Sequence, residues 1–211
     1  MARKTVHLAI YDTLADWEAG HAVAYLRNTE YHRPPRDVFE VVTVSPVAGQ
    51  VVTTAGGVRI LPDLALEDLR PESSALLILP GADLWSSGDE LAPYADKAAE
   101  FLAANVPVAA ICGATAGLAR AGLLDDRPHT SAFAEYLTAQ PGYHGHAHYL
   151  DADAVTGRDL ITAGPTGQVA FAREIFRCLD VYEPKVLDAW ERLFGNSDAD
   201  AVPTLAAAAQ R

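Results

Sequence analysis

Pro107-Val108-Ala109-Ala110-Ile111-Cys112-Gly113-Ala114-Thr115-Ala116-Gly117-Leu118-Ala119-Arg120-Ala121-Gly122-Leu123-Leu124 reads as a buried strand, one sharp turn and an Ala-rich helix. Cys112 falls at the turn itself. A thiol there points out from the sheet edge, beside the unpaired N–H groups that open the helix. Those groups favour an anion, so the placement predicts a thiol that ionises below the usual range. The same strand–nucleophile–Gly–helix arrangement positions serine in the hydrolase elbow. The alternative for Cys112 is a small core side chain, since free cysteine is often buried; the flanking pattern favours a functional thiol.

Outward from this elbow, strands and helices alternate. Val6–Tyr11 is expected to be the first strand. A polar turn, Asp12–Asp16, leads into a helix over Trp17–Leu26, with Asp16 as its cap. Val38–Val44 reads as a second strand, and Gly56-Gly57 marks a hairpin within Val51–Leu61. Ala75–Leu79 is an unbroken apolar run, the pattern of a strand buried on both faces. It ends in Pro80-Gly81-Ala82-Asp83 and precedes a helix over Leu91–Ala104. After the elbow come a helix from Ala132, an apolar segment Leu160–Ala163, and helices over Gln168–Leu179 and Pro184–Phe194. Cys178 is expected to be core filler. This alternation predicts an α/β three-layer sandwich with a mostly parallel sheet, whose ligands bind beyond the carboxyl ends of the strands. One domain over residues 1–197 is expected, followed by an Ala-rich tail, 198–211, frayed or helical at the surface.

Composition narrows the function. Among 211 residues half are hydrophobic, ample for a full core, and the net charge is −12. That charge opposes the phosphate backbone of nucleic acids and anionic membranes, so neither is an expected partner. No apolar run approaches the roughly 20 residues that span a bilayer. Met1–Thr5 runs into the first strand without an apolar leader, and the two cysteines occupy different contexts; a cytoplasmic location follows as the expectation.

Glu18 lies just past the first strand exit, where a carboxylate can reach a thiol on an adjacent elbow. Protonated, it would donate to a thiolate; ionised, it would act as base or proton shuttle. The alternative is an acid favoured by the helix dipole. Backbone N–H groups of Gly81, Ala82 and Gly113 are candidates for an oxyanion hole. His129 opens a turn after the elbow and is a further candidate to approach the thiol. His144, His146 and His148 alternate ahead of Asp151 and Asp153, a pattern that permits a metal site but reads better as a solvated loop. No metal and no cofactor are expected.

Leu79-Pro80-Gly81, Ala110-Ile111-Cys112-Gly113 and the following Gly122-Leu123-Leu124 resemble the ThiJ/PfpI superfamily, the class I glutamine amidotransferase-like proteins, over about Val6 to Leu179. The resemblance implies a flavodoxin-like sandwich with a cysteine nucleophile. It also implies an acidic partner at Glu18, oxyanion donors at Ala82 and Gly113, and a homodimer. Members include proteases, glyoxalases or deglycases, isonitrile hydratases and redox-sensing chaperones. The chain departs from the protease-like branch at Gly113, where that branch has histidine, and Ala82 replaces a second glycine. The Asp16-Trp17-Glu18 segment and the Leu160-Ile161-Thr162-Ala163 ending are similar to a bacterial amidotransferase-like subgroup. Two functions are therefore expected to compete: a cysteine enzyme acting on a small electrophilic substrate, and a non-catalytic sensor in which Cys112 is oxidised. For the homodimer, Trp17, Tyr25, Trp85 and Trp190 are expected to be half exposed and to serve as anchors.

Overall fold

The computed structural model describes residues 3–211; Met1 and Ala2, read from the sequence as leading into the first strand, lie outside the described residues. Seven strands form the central sheet. In chain order these are β1 (Arg3–Ala9) and β2 (Val38–Ser45), then, after a separate two-stranded hairpin of β3 (Val52–Thr53) and β4 (Arg59–Ile60), β5 (Leu64–Ala65), β6 (Leu76–Leu79), β7 (Val108–Ile111), β8 (Ala154–Gly157) and β9 (Leu160–Ala163). The sheet order is β5-β2-β1-β6-β7-β9-β8, parallel throughout except for the antiparallel edge strand β8. Every residue of β6, β7 and β9 is buried, because helices cover both faces of these central strands.

The helices are α1 (Gly20–Arg27), α2 (Ala92–Ala103), α3 (Gly113–Arg120), α4 (Ala134–Thr138), α5 (Gln168–Cys178), α6 (Pro184–Asn196) and α7 (Val202–Ala209). α1 and α5 pack together on one side, with α6 and α7 stacked outside them, while α2 and α3 pack against β6 and β7. The expected three-layer α/β sandwich with a mostly parallel sheet is what forms. Among the described residues no helix is long and apolar enough to cross a membrane.

Several local expectations are corrected. The first helix starts at Gly20, not Trp17, and has no side-chain cap. Asp16 turns instead to the hairpin, accepting from the Gly56 N–H at 2.7 Å and from the Thr54 hydroxyl. These bonds hold its carboxyl below the usual range. For residues 198–211 the helical alternative holds, as α7, and it is anchored: Ala201, Leu205 and Ala208 are buried, and α7 packs on α6. Cys178 is exposed at the end of α5 rather than buried in the core. Trp85 and Trp190 are fully buried, against the half-exposed placement expected of them, whereas Tyr25 is half-buried as expected and Trp17 is 55% exposed. Trp190 is enclosed by Tyr25, Phe176 and Phe194.

Candidate active site

β1, β6 and β7 are neighbours in the sheet, so the loops leaving their carboxyl ends converge. Cys112 follows β7 immediately, with φ 56° and ψ −124°. A non-glycine residue there costs about 1–3 kcal/mol and needs firm support. Its N–H donates to the Ala163 carbonyl at 2.9 Å, and its own carbonyl accepts from the Thr115 hydroxyl at 2.6 Å. Thr115 Oγ1 is paired in turn with Ser131 Oγ at 2.7 Å. The turn is thus held from the sheet side and from the helix side.

The loop after β1 is laid across the β6 exit. Thr13, at φ 64°, donates its N–H to the Thr53 carbonyl at 2.9 Å. Leu14 forms a β-bridge with Ala82, and the Ala15 N–H donates to the Gly81 carbonyl at 2.9 Å. These bonds deliver Glu18 into the interior, where it is fully buried. Its Oε2 accepts from the Gly81 N–H at 2.6 Å. Oε1 makes no geometrically complete hydrogen bond and lies against the thiol, closely enough for each group to shift the other's titration. Gly81, expected among the oxyanion donors, therefore directs its N–H at Glu18 and positions that carboxyl. A Cβ at Gly81 would come within 2.8 Å of Glu18 Oε2 and 2.9 Å of Cys112 Cβ, so only glycine admits the pair.

Burial pushes Glu18 up to about 7, against the smaller opposing effect of the Gly81 N–H. Cys112 is pushed up to about 12, first by burial and then by the charge and hydrogen bond of Glu18; the Gly113 N–H opposes this but is weaker. The depressed thiol expected from the helix N-terminus is thereby corrected: loss of water and a neighbouring carboxylate outweigh the N–H groups.

The raised Glu18 value also has a consequence for stability. Its native carboxyl holds the proton more tightly than the unfolded chain does, so the stability it contributes is full below pH 4.5 and is lost as pH rises through about 7. Glu18→Gln is expected to stabilise the fold by about 3 kcal/mol at pH 8 and by under about 1 kcal/mol at pH 5. Denaturant titrations at the two pH values check this.

An aromatic prop supports the Pro80–Ala82 exit. The Tyr11 hydroxyl donates to the Pro80 carbonyl, and Trp85 Nε1 lies 3.0 Å from both the Tyr11 hydroxyl and that carbonyl. Tyr11 meets the rings of Trp85 and Tyr94 edge-on. Trp85 also packs on α3: a Cβ at Gly113 would lie 3.2 Å from Trp85 Cβ, and one at Gly117 only 2.1 Å from its ring. Extended Ala82 and the helix-opening Gly113 border the same cavity as the thiol.

That cavity, about 300 Å³, is lined by Cys112, Glu18, Gly81, Ala82 and Gly113 together with Thr13, Trp17, Asp83, Ser86 and Tyr136. Tyr136, on α4, reaches Ser86 Oγ at 3.3 Å. Sequence reasoning did not assign Thr13, Asp83, Ser86 or Tyr136 to the site. Only their closeness to strand exits (Thr13, Asp83 and Ser86) hinted at it, and Tyr136 had no local signal. His129 is not among the lining residues. It is buried, its Nδ1 2.8 Å from the Arg127 carbonyl and its Nε2 2.7 Å from the Tyr143 hydroxyl. The carbonyl can only accept, so Nδ1 carries the proton and Nε2 accepts from Tyr143. Burial lowers its pKa, in keeping with a neutral ring. Gly145–His148 forms a 3₁₀ turn rather than an extended strand, and among the described residues no group of three or more His, Cys, Asp or Glu converges as a metal set.

A mostly parallel α/β sheet with a strained cysteine at a strand–helix turn, faced by a buried glutamate from the first strand's loop, defines a class of cysteine-elbow proteins. The pattern of the DJ-1/PfpI family matches residues 4–178, and the chain belongs to that family. It is 37% identical over 194 residues to the Uncharacterized protease YoaZ of Bacillus subtilis, covering 92% of this chain and 91% of that protein. The crystal structure of a thiJ/pfpI family protein from Bacillus anthracis superposes with a TM-score of 0.91 at 34% identity, covering 99% and 98% of the two chains. The DJ-1 superfamily protein Atu0886 from Agrobacterium tumefaciens gives 0.80 at 28% identity, over 92% of this chain and all of that one.

Proposed function

We propose that this protein is a cofactor-independent enzyme in which Cys112 adds to a small electrophilic substrate, a carbonyl, amide or nitrile-like group. The observation that carries this reading is the buried Glu18 carboxyl against the thiol, with its pKa near 7. A base is most effective when its pKa matches the working pH. With the thiol held protonated, Glu18 takes the Cys112 proton as Sγ bonds to the electrophilic atom. The electron pair displaced onto the substrate heteroatom faces the N–H groups of Ala82 and Gly113. Glu18, now a neutral acid, returns the proton to the adduct or leaving group.

The sensor alternative would draw on the same deprotonation by Glu18, because peroxide oxidises thiolates rather than thiols, so turnover is what separates the two readings. The site lacks the histidine that peptide hydrolysis by a cysteine would draw on. No histidine lines the cavity, and a Cβ at 113 would lie 3.2 Å from both Trp85 Cβ and the Ala82 carbonyl, tighter than ordinary contact.

The test is a substrate panel of methylglyoxal, glutamine and an isonitrile, run on the native chain and on Cys112→Ala. Turnover of one member, lost in the variant, supports the reading. Oxidation of Cys112 by dilute peroxide without turnover of any member overturns it in favour of the sensor.

A further inference from the structure

We propose that the Cys112 cavity selects electrophiles bearing a positive charge, an ammonium or guanidinium head, and turns away those bearing a carboxylate or other anion. This rests on the reading of Cys112 as nucleophile and adds the class of substrate.

The lining contains no lysine, arginine or histidine. It does contain two carboxyl side chains, Glu18 at the floor and Asp83 at the exposed mouth. Among the described residues Asp83 has no ion-pair partner and no side-chain hydrogen bond, so its charge is uncompensated. The cation of the adjoining helix, Arg120, bonds to the Trp85 carbonyl at 2.9 Å and to Gln140 at 2.8 Å, and does not line the cavity.

A substrate anion would need a cation or free N–H groups. The Gly81 N–H is already donated to Glu18, and those of Ala82 and Gly113 face the charge that develops during reaction. A cationic head, by contrast, finds two kinds of partner. The Trp17 ring lies 55% exposed at the cavity, and Tyr136 supplies a second ring. Aromatic faces attract ammonium and guanidinium groups, and a carboxylate beside them strengthens the attraction. A cleft lined by one sign of charge also concentrates the opposite ion at its mouth.

The probe is a set of three methanethiosulfonates with the same reacting group: trimethylammonioethyl, methyl and sulfonatoethyl. In each, the Cys112 thiolate bonds to the sulfenyl sulfur and methanesulfinate leaves, so a mixed disulfide forms without an added oxidant. Rates are measured on a Cys178→Ser chain, in which Cys112 is the sole cysteine, and divided by the rates of the same reagents with 2-mercaptoethanol. The expected normalised preference for cation over anion is about tenfold or more at low salt. Asp83→Asn should cut it several-fold and make it less sensitive to salt. Trp17→Ala should lower the rate of the cation by several-fold more than it changes that of the methyl reagent. Both positions are exposed, so neither change threatens the fold. Reaction with all three reagents at a normalised ratio near one, or a ratio that survives both substitutions, overturns the inference and leaves the nucleophile standing. Failure to react with any of the three overturns both.

Discussion

Glu18→Gln is expected to speed alkylation of Cys112 at pH 9 while cutting turnover at pH 7 by 100-fold or more. The two effects have one origin. In the native chain the thiol sits at about 12, so at pH 9 roughly one molecule in a thousand carries a thiolate. Two of the influences raising it come from Glu18, its charge and its hydrogen bond; burial remains when they are removed. A neutral amide therefore lets the thiol ionise at lower pH, and each unit of that fall raises the iodoacetamide rate at pH 9 about tenfold. Turnover moves the other way, since the amide cannot take the proton and general-base catalysis contributes about 10²–10⁴-fold. The measurement is a pH series of alkylation followed by mass spectrometry, run beside the turnover assay. Slower alkylation in the variant would mean that Glu18 keeps its proton and donates it to a thiolate, and the base mechanism would be abandoned.

The elbow was readable because it is local: an apolar strand, one turn and an Ala-rich helix lie in one uninterrupted stretch, and each element declares itself by composition. The sheet was readable for the same reason, since Leu76–Leu79 and Val108–Ile111 are apolar at every position and so demand cover on both faces. Glu18 could be named from its place after the first strand, but the depth at which it lies could not. Burial is set by how the 13–19 loop folds over Gly81, which depends on contacts between residues more than 60 positions apart. The error about the thiol's ionisation follows directly from this. A helix N-terminus is visible in sequence, whereas desolvation and a facing carboxylate are not. A helix cap and a hairpin clasp draw on the same side-chain chemistry, so sequence does not tell which of the two Asp16 serves. Trp85, flanked by Asp83 and Ser86, looked like a surface residue; its indole N–H reaches the Tyr11 hydroxyl across 74 positions of chain. Tyr136 enters the cavity only because α4 packs beside α3.

Gly117→Ala is expected to destabilise the protein by about 3 kcal/mol, although alanine is the better helix former. In a helix interior the exchange ordinarily gains about 1 kcal/mol. Here the added Cβ would lie 2.1 Å from the Trp85 ring, a distance at which atoms overlap. Overpacking a close-packed core costs about 1–3 kcal/mol when neighbours can give way, and more when they cannot. Trp85 is badly placed to give way. Its indole N–H is tied to Tyr11 and Pro80, its ring is buried, and its carbonyl holds Arg120. A shift of the ring would pull on the Pro80 carbonyl and so displace Gly81, whose N–H fixes Glu18 beside the thiol. The damage should therefore reach the site as well as the core: chemical denaturation would report the lost stability, and alkylation of Cys112 in the still-folded variant would move toward the Glu18→Gln pattern. Trimming the ring tests the cause. Trp85→Phe removes the outer ring atoms that the new methyl meets, so Gly117→Ala combined with Trp85→Phe should be destabilised by less than the sum of the two single changes, the coupling expected of residues in direct contact. Additive losses would place the cost of Gly117→Ala elsewhere than at the tryptophan, and the link from α3 through Trp85 to the Glu18–Cys112 pair would fall with it.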